Sequence, residues 1–139
     1  MLHTKCYMNN MDNRTIKRKT GDWGEERATT FLAAHGYKIV ERNYLTRAGE
    51  LDIIAWHHKP HFGKTLCFIE VKTRAANDGS AERATQGKKL ERIFRAARHY
   101  CLSQSLSVER TPMQFEQVSI YADPELMDPI VRHFVIPVE

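Results

Sequence analysis

Cysteine is scarce in this chain, and where it falls argues against two common ways of bracing a small protein. Cys6, Cys67 and Cys101 are the three in 139 residues. An odd number with no CxxC spacing speaks against a disulfide framework and against a zinc site. Cys67 and Cys101 are therefore expected as small buried apolar residues and Cys6 as a tail thiol. Long apolar runs are missing too. No stretch reaches membrane-spanning length, and the opening MLHTKCYMNNMDNRTIKRKT lacks the apolar core of a secretory signal. The expectation is a cytoplasmic protein with no membrane partner. Internal repeats and low-complexity segments are also absent. A chain of 139 residues supports one hydrophobic core and is short for two.

Positive charge is modest but unevenly placed. Residues 1–20 carry Lys5, Arg14, Lys17, Arg18 and Lys19 against Asp12 alone, which equals the net charge of the whole chain, +4. With no apolar period they read as a basic disordered tail, leaving residues 21–139 as the folded domain. Within that domain Lys72 to Arg98 is strongly basic and Glu109 to Glu139 acidic, so the molecule should be a dipole.

The elements follow from period and punctuation. TGDWGEERATTFLAAHGY is a helix whose core face is approximated by Trp23, Ala28, Phe31, Leu32 and His35, with Gly36 suited to its left-handed end. YKIVERNYL, ELDIIAW and TLCFIEVKT are three strands, and the last two are joined by a hairpin loop, HHKPHFGK. Ser80 or Asp78 is positioned to cap a helix from about Ala81 to Ser103. MQFEQVSIYA and PIVRHFVIPV are two late strands. Helix, three strands, helix, two strands is the order of an α/β sandwich with a mixed central sheet.

Two strands carry charge where a core strand carries valine. Side chains alternate along a strand, so Glu50 and Asp52 share one face, opposite Leu51, Ile53 and Ala55; Glu70 and Lys72 share another, opposite Ile69 and Val71. Paired as a hairpin, these strands bring three carboxylates and one ammonium together. Carboxylates held that close repel unless a cation lies between them, and Mg²⁺ or Mn²⁺ suits an all-oxygen site. An edge hairpin with a solvated Glu and Lys pair is the competing reading. His57, His58 and His61 lack a partner pair for zinc and are assigned to a solvated loop.

The second helix points to a partner. Leu90, Ile93, Phe94, Ala97 and Cys101 form one apolar face, while Lys88, Arg92, Arg95 and His99 form a basic stripe opposite. A face of nearly one sign suits a phosphate backbone.

At these residues the chain resembles a known family. GDWGEERATTFLAAHGYKIVERNYLTRAGELDIIAW and LCFIEVKTR, with Gly24-Glu25, Arg42-Asn43-Tyr44, Gly49-Glu50-x-Asp52 and Glu70-Val71-Lys72 in that order, look like the bacterial YraN-like proteins of the PD-(D/E)xK nuclease superfamily. The resemblance covers Gly21 to about Tyr100. It implies a restriction-endonuclease-like three-layer sandwich with Asp52, Glu70 and Lys72 at catalytic positions. Asp52, Glu70 and the carbonyl of Val71 would hold Mg²⁺ or Mn²⁺, with Glu25 a further metal candidate. The superfamily's resolvases place a first-helix Glu near the metal, although Asp22 and Glu25 also make a capping box. Glu50 and Gln86 would stand behind these ligands. Lys88, Lys89, Arg92, Arg95, Arg42 and Arg74 would contact nucleic acid, with sheet-edge packing an equal role for Arg42. Two positions depart from the family pattern. Gln114-Phe115-Glu116 stands where Arg-Phe-Asp is common, and Lys88-Lys89 stands where a Lys-Gln pair is common. The expected function is a metal-dependent endonuclease on DNA, structured or branched, as a monomer or homodimer. A non-catalytic nucleic-acid-binding module and an RNA-processing nuclease are the alternatives.

Overall fold

The fold was obtained as a computed structural model, which describes residues 13–75, 87–122 and 128–138, with side chains from residue 19 onward. Five strands form one sheet in the order β1-β2-β3-β4-β5. They are β1 (Lys38–Leu45), β2 (Glu50–Lys59), β3 (Gly63–Arg74), β4 (Met113–Tyr121) and β5 (Ile130–Val135), with α1 (Asn13–Ala34) before β1 and α2 (Lys88–Ser103) between β3 and β4. Neighbours are antiparallel except β3 and β4, which run parallel. A parallel pair needs a crossover, and α2 lies within it. The element order and the mixed sheet expected from the sequence are both found.

Each helix covers one face of the sheet. Ala28 and Leu32 of α1 join Ile53, Ala55, Ile69, Val118 and Ile120 in one core cluster. Ile93, Ala96, Ala97 and Tyr100 of α2 join Leu51, Ile54, Leu66 and Phe68 in the other. Cys67 is buried in the first and Cys101 in the second, as expected, whereas Cys6 lies outside the described residues. The end of α1 is also as expected. Gly36 takes φ +86°, and Tyr37 N–H donates to the Leu32 carbonyl at 3.0 Å, a left-handed termination.

Several boundaries differ. Helix α1 begins at Asn13, so residues 13–20, expected in the disordered tail, are helical. Its buried stripe runs through Gly24, Glu25, Ala28 and Leu32, and Trp23 is exposed beneath the Arg27 guanidinium. Apolar periodicity favours tryptophan at the core, but glycine takes that place because the helix approaches β3 too closely for any side chain. A Cβ on Gly24 would collide with Thr73 Oγ1 and lie 3.1 Å from Thr73 Cβ, so rotating the threonine does not clear it. Gly24→Ala is expected to cost about 2 kcal/mol through overpacking. Adding Thr73→Ala, which removes Oγ1 but keeps the Cβ at 3.1 Å, should recover part of this, and thermal melts of both chains against wild type would check the coupling. Helix α2 begins at Lys88, and the expected caps Ser80 and Asp78 lie outside the described residues. The loop at residues 57–64 is shorter than expected. His57 and His58 belong to β2, with His57 stacked on Tyr37 at 3.8 Å.

Candidate active site

Strands β2 and β3 pair regularly from Lys59 and Gly63 to Ile53 and Ile69. Beyond that point they part. The Val71 N–H, which would continue the ladder, donates to Asp52 Oδ2 at 2.8 Å. Alternation also breaks at Asp52. Leu51 packs on the α2 side, while Ile53 and Ala55 pack on the α1 side, so the three residues expected on one face are divided. On the neighbouring strand Asn43 has φ 52°, a left-handed conformation that asparagine tolerates better than most residues. The sheet is thus kinked where its carboxylates lie.

Two clefts meet at the kink. One, of about 450 Å³, is lined by Glu50, Asp52, Glu70, Val71, Lys72, Lys89 and Arg92. The other, of about 970 Å³, runs toward α1 and shares Glu50, Asp52, Val71 and Lys72, adding Asp22, Glu25, Asn43 and Arg74. Glu70 is 4% exposed. Its Oε2 faces two ammonium groups, Lys89 at 3.5 Å and Lys72 at 3.9 Å. Burial, reinforced by the Asp52 charge, still pushes the Glu70 carboxyl up to about 7. Asp52 is raised by burial, partly offset by the Val71 N–H and by Lys72. The Lys72 ammonium is pushed down to about 8, first by burial and then by Lys89 beside it. Acids and bases are therefore shifted toward each other, as in a site built for proton traffic.

The other expected site residues divide. Glu25 is buried, 8% exposed, on the α1 side. Burial and the Asp52 charge raise it, while Arg42 and Asn43 pull the other way. Arg42 reaches Glu25 at 3.3 Å and Glu26 at 3.0 Å, so in this structure it serves carboxylates. Glu50 is exposed at the start of β2. Among the described residues no three or more His, Cys, Asp and Glu side chains are placed to hold a metal. Strand alternation leads to the expectation of three converging carboxylates. What is enclosed is the Asp52 and Glu70 pair, whereas Glu50 stays solvent-exposed at the rim of both clefts, close enough for its charge to raise Asp52. Lys88, Arg92 and Arg95 are exposed along α2 as expected, and Arg74 is exposed at the end of β3. Gln86 lies outside the described residues.

Lys89, expected among the nucleic-acid contacts, instead places its ammonium on Glu70. The spacing carries the signal. Lys89, Ile93 and Ala97 are four apart, so Lys89 extends the sheet-facing row of the helix rather than its exposed stripe. Glu116, which the sequence marks only as a departure from the family pattern, lies opposite Ile69 in the β3–β4 register but is fully buried on the α1 face of the sheet, bonded to Tyr37 OH at 2.6 Å and to His133 Nε2 and ion-paired with Lys59 Nζ at 3.1 Å.

The model of the uncharacterised protein family UPF0102 matches residues 24–120. This chain belongs to UPF0102, the YraN-like group. A UPF0102 protein of Koribacter versatilis is 48% identical over 108 residues, covering 76% of this chain and 70% of the relative. One from Chlorobium phaeobacteroides is 42% identical over 101 residues, covering 72% and 74%. One from Chlorobium limicola is 38% identical over 120 residues, covering 83% and 88%. The matched UPF0102 segment contains Glu25, Asp52, Glu70, Lys72 and the whole of α2, so the kink lies within it. No helix among the described residues is long and apolar enough to cross a membrane.

Proposed function

We propose that this UPF0102 protein is a metal-dependent endonuclease acting on DNA. The observation that carries the reading is half-buried Asp52 beside buried Glu70 at the open end of the β2–β3 ladder, with Lys72 next to them and an exposed basic helix alongside. The donors fit a hard divalent cation. They are carboxylate oxygens, supplemented by the Val71 carbonyl, which points to the same strand edge as the N–H that Asp52 accepts. The Asp52 charge that disfavours ionised Glu70 is a charge that a cation would relieve. A bound Mg²⁺ or Mn²⁺ supplies positive charge for the phosphate oxygens and acidifies water.

The chain's own groups do the rest. Asp52 is fixed by the Val71 amide, leaving its second oxygen to ligate. Lys72, held near neutral pKa by burial, is suited to accept a proton from the attacking water or, when charged, to stabilise the pentacovalent phosphate. The backbone of a DNA strand lies along the junction of the two clefts, with Lys88, Arg92 and Arg95 on its phosphates. Replacing these three with Gln should weaken binding to all sequences alike. The log-log salt dependence should flatten by about 0.9 for each phosphate that the variant no longer neutralises. Unchanged affinity and slope in a fluorescence titration would return the stripe to solubility alone.

The deciding experiment is a panel of single-stranded, duplex, flap and four-way-junction DNA and RNA, incubated with Mg²⁺ or Mn²⁺ and with chelator. Cleavage that needs metal supports the enzyme. Metal-independent binding with no cleavage of any substrate supports the non-catalytic module instead.

A further inference from the structure

We propose that Lys89 is a resident counter-ion for Glu70, holding in the metal-free protein the carboxylate that a divalent cation would use, and that its release supplies a phosphate contact. This rests on the metal reading above.

Glu70 is almost fully buried, yet its Oε2 meets two ammonium groups, so the protein's own cations already engage the carboxylate. The two lysines are not equivalent. Lys72 lies on β3, where the ladder with β4 pairs it with Ser119, and its side chain is 18% exposed. Lys89 is closer to Glu70, at 3.5 Å, and its side chain is 35% exposed, so it is the one with room to swing toward solvent. It also occupies the first turn of α2, where the helix dipole disfavours a cation, and the neighbouring Lys88 adds to the repulsion. An ammonium in such a place needs an anion. Among the nearby acids, with Glu91 in the same turn and Asp52 across the cleft, Glu70 is the one the ammonium pairs with, and a backbone phosphate lying along Lys88 and Arg92 is the anion available from a substrate. Cation uptake at Glu70 and phosphate binding at Lys89 should therefore favour each other, since each releases what the other needs.

The test is Mn²⁺ affinity, measured calorimetrically in the full chain with no nucleic acid, alongside melts in chelator. Lys89→Gln is expected to bind Mn²⁺ about ten-fold more tightly, the order expected for removing one nearby like charge at a partly screened site, and to melt lower in chelator. Lys89→Arg should stay within about three-fold of wild type, and so should Arg98→Gln, which removes the same charge from an exposed position of the same helix. Lys89→Met would repeat the measurement if the Gln chain folded poorly. Equal Mn²⁺ affinity in wild type, Lys89→Gln and Lys89→Met would overturn the counter-ion role while leaving the metal reading standing. A loss of affinity in both variants would overturn it as well and make Lys89 a helper in metal binding. No Mn²⁺ binding by any of these chains would remove the metal reading and this proposal together. A second titration of wild type with a short uncleavable DNA present should show tighter Mn²⁺ binding, and that gain should be absent in Lys89→Gln.

Discussion

Replacing Glu70 with Gln is expected to lower cleavage by at least about 10³-fold and to abolish Mn²⁺ binding, while raising the melting temperature of the chelator-treated protein above pH 7. The two effects have opposite signs because the group is costly in one state and needed in the other. A carboxyl raised from 4.5 to about 7 in the fold gives stability that is fully present below pH 4.5 and lost as the pH rises through about 7. Above that, the ionised side chain is a burden that Gln does not carry, worth about 3 kcal/mol. Melts of the two chains should therefore coincide near pH 4.5 and separate by pH 8. Asp52→Asn should likewise lose Mn²⁺. Lys72→Ala should keep the metal and lose cleavage by about 10²-fold. Metal binding unchanged in Asp52→Asn would sink the site, and its loss in Lys72→Ala would sink the division of roles.

The largest loss of stability is expected on the α1 face of the sheet, from Glu116→Gln. Glu116 is fully buried. Burial raises its carboxyl, but the hydrogen bonds with His133 and Tyr37, together with the nearby Cys67 thiol and the Lys59 charge, outweigh this and hold it down at about 2. A depressed carboxyl gives stability present above its unfolded value of 4.5 and lost as the pH falls toward 2. The substitution removes that contribution and leaves the Lys59 ammonium, whose side chain is 15% exposed, without its anion. A cost of about 3 kcal/mol follows, or about 10 °C in Tm for a chain of this length. The difference from wild type should vanish near pH 2. A difference that persists there would mean that the loss came from packing rather than charge.

The fold is legible because its strands carry strong apolar runs with turn residues between them, and because Gly36 marks the end of α1 in the sequence itself. What escapes is set by tertiary contact. Trp23 reads as core because helical period counts apolar residues and does not register how near another element comes; Gly24 wins because α1 approaches Thr73 without space for a Cβ. The site is half legible. Alternation correctly places Glu70 and Lys72 together, but it assumes an unbroken strand through Asp52. The kink there, opposite left-handed Asn43, follows from no two-residue period. Lys89 escapes for a related reason. A lysine at the sheet-facing spacing of a helix is normally counted as surface, and only the buried carboxylate opposite it explains why it turns inward. The Glu116 cluster draws on β2, β4, β5 and the residue just ahead of β1 and leaves no local pattern to read.

The two core clusters each hold one buried thiol, Cys67 beneath α1 and Cys101 within α2. A buried thiol reacts only when its surroundings open, so the pair is a built-in set of labelling probes for the two layers. Modification of Cys101 at low denaturant, ahead of Cys67, would report that α2 lifts off the sheet as a separate unit and carries Lys89 away from Glu70. Modification of both thiols at one rate would report a single cooperative opening, in which Lys89 leaves Glu70 only when the whole molecule unfolds.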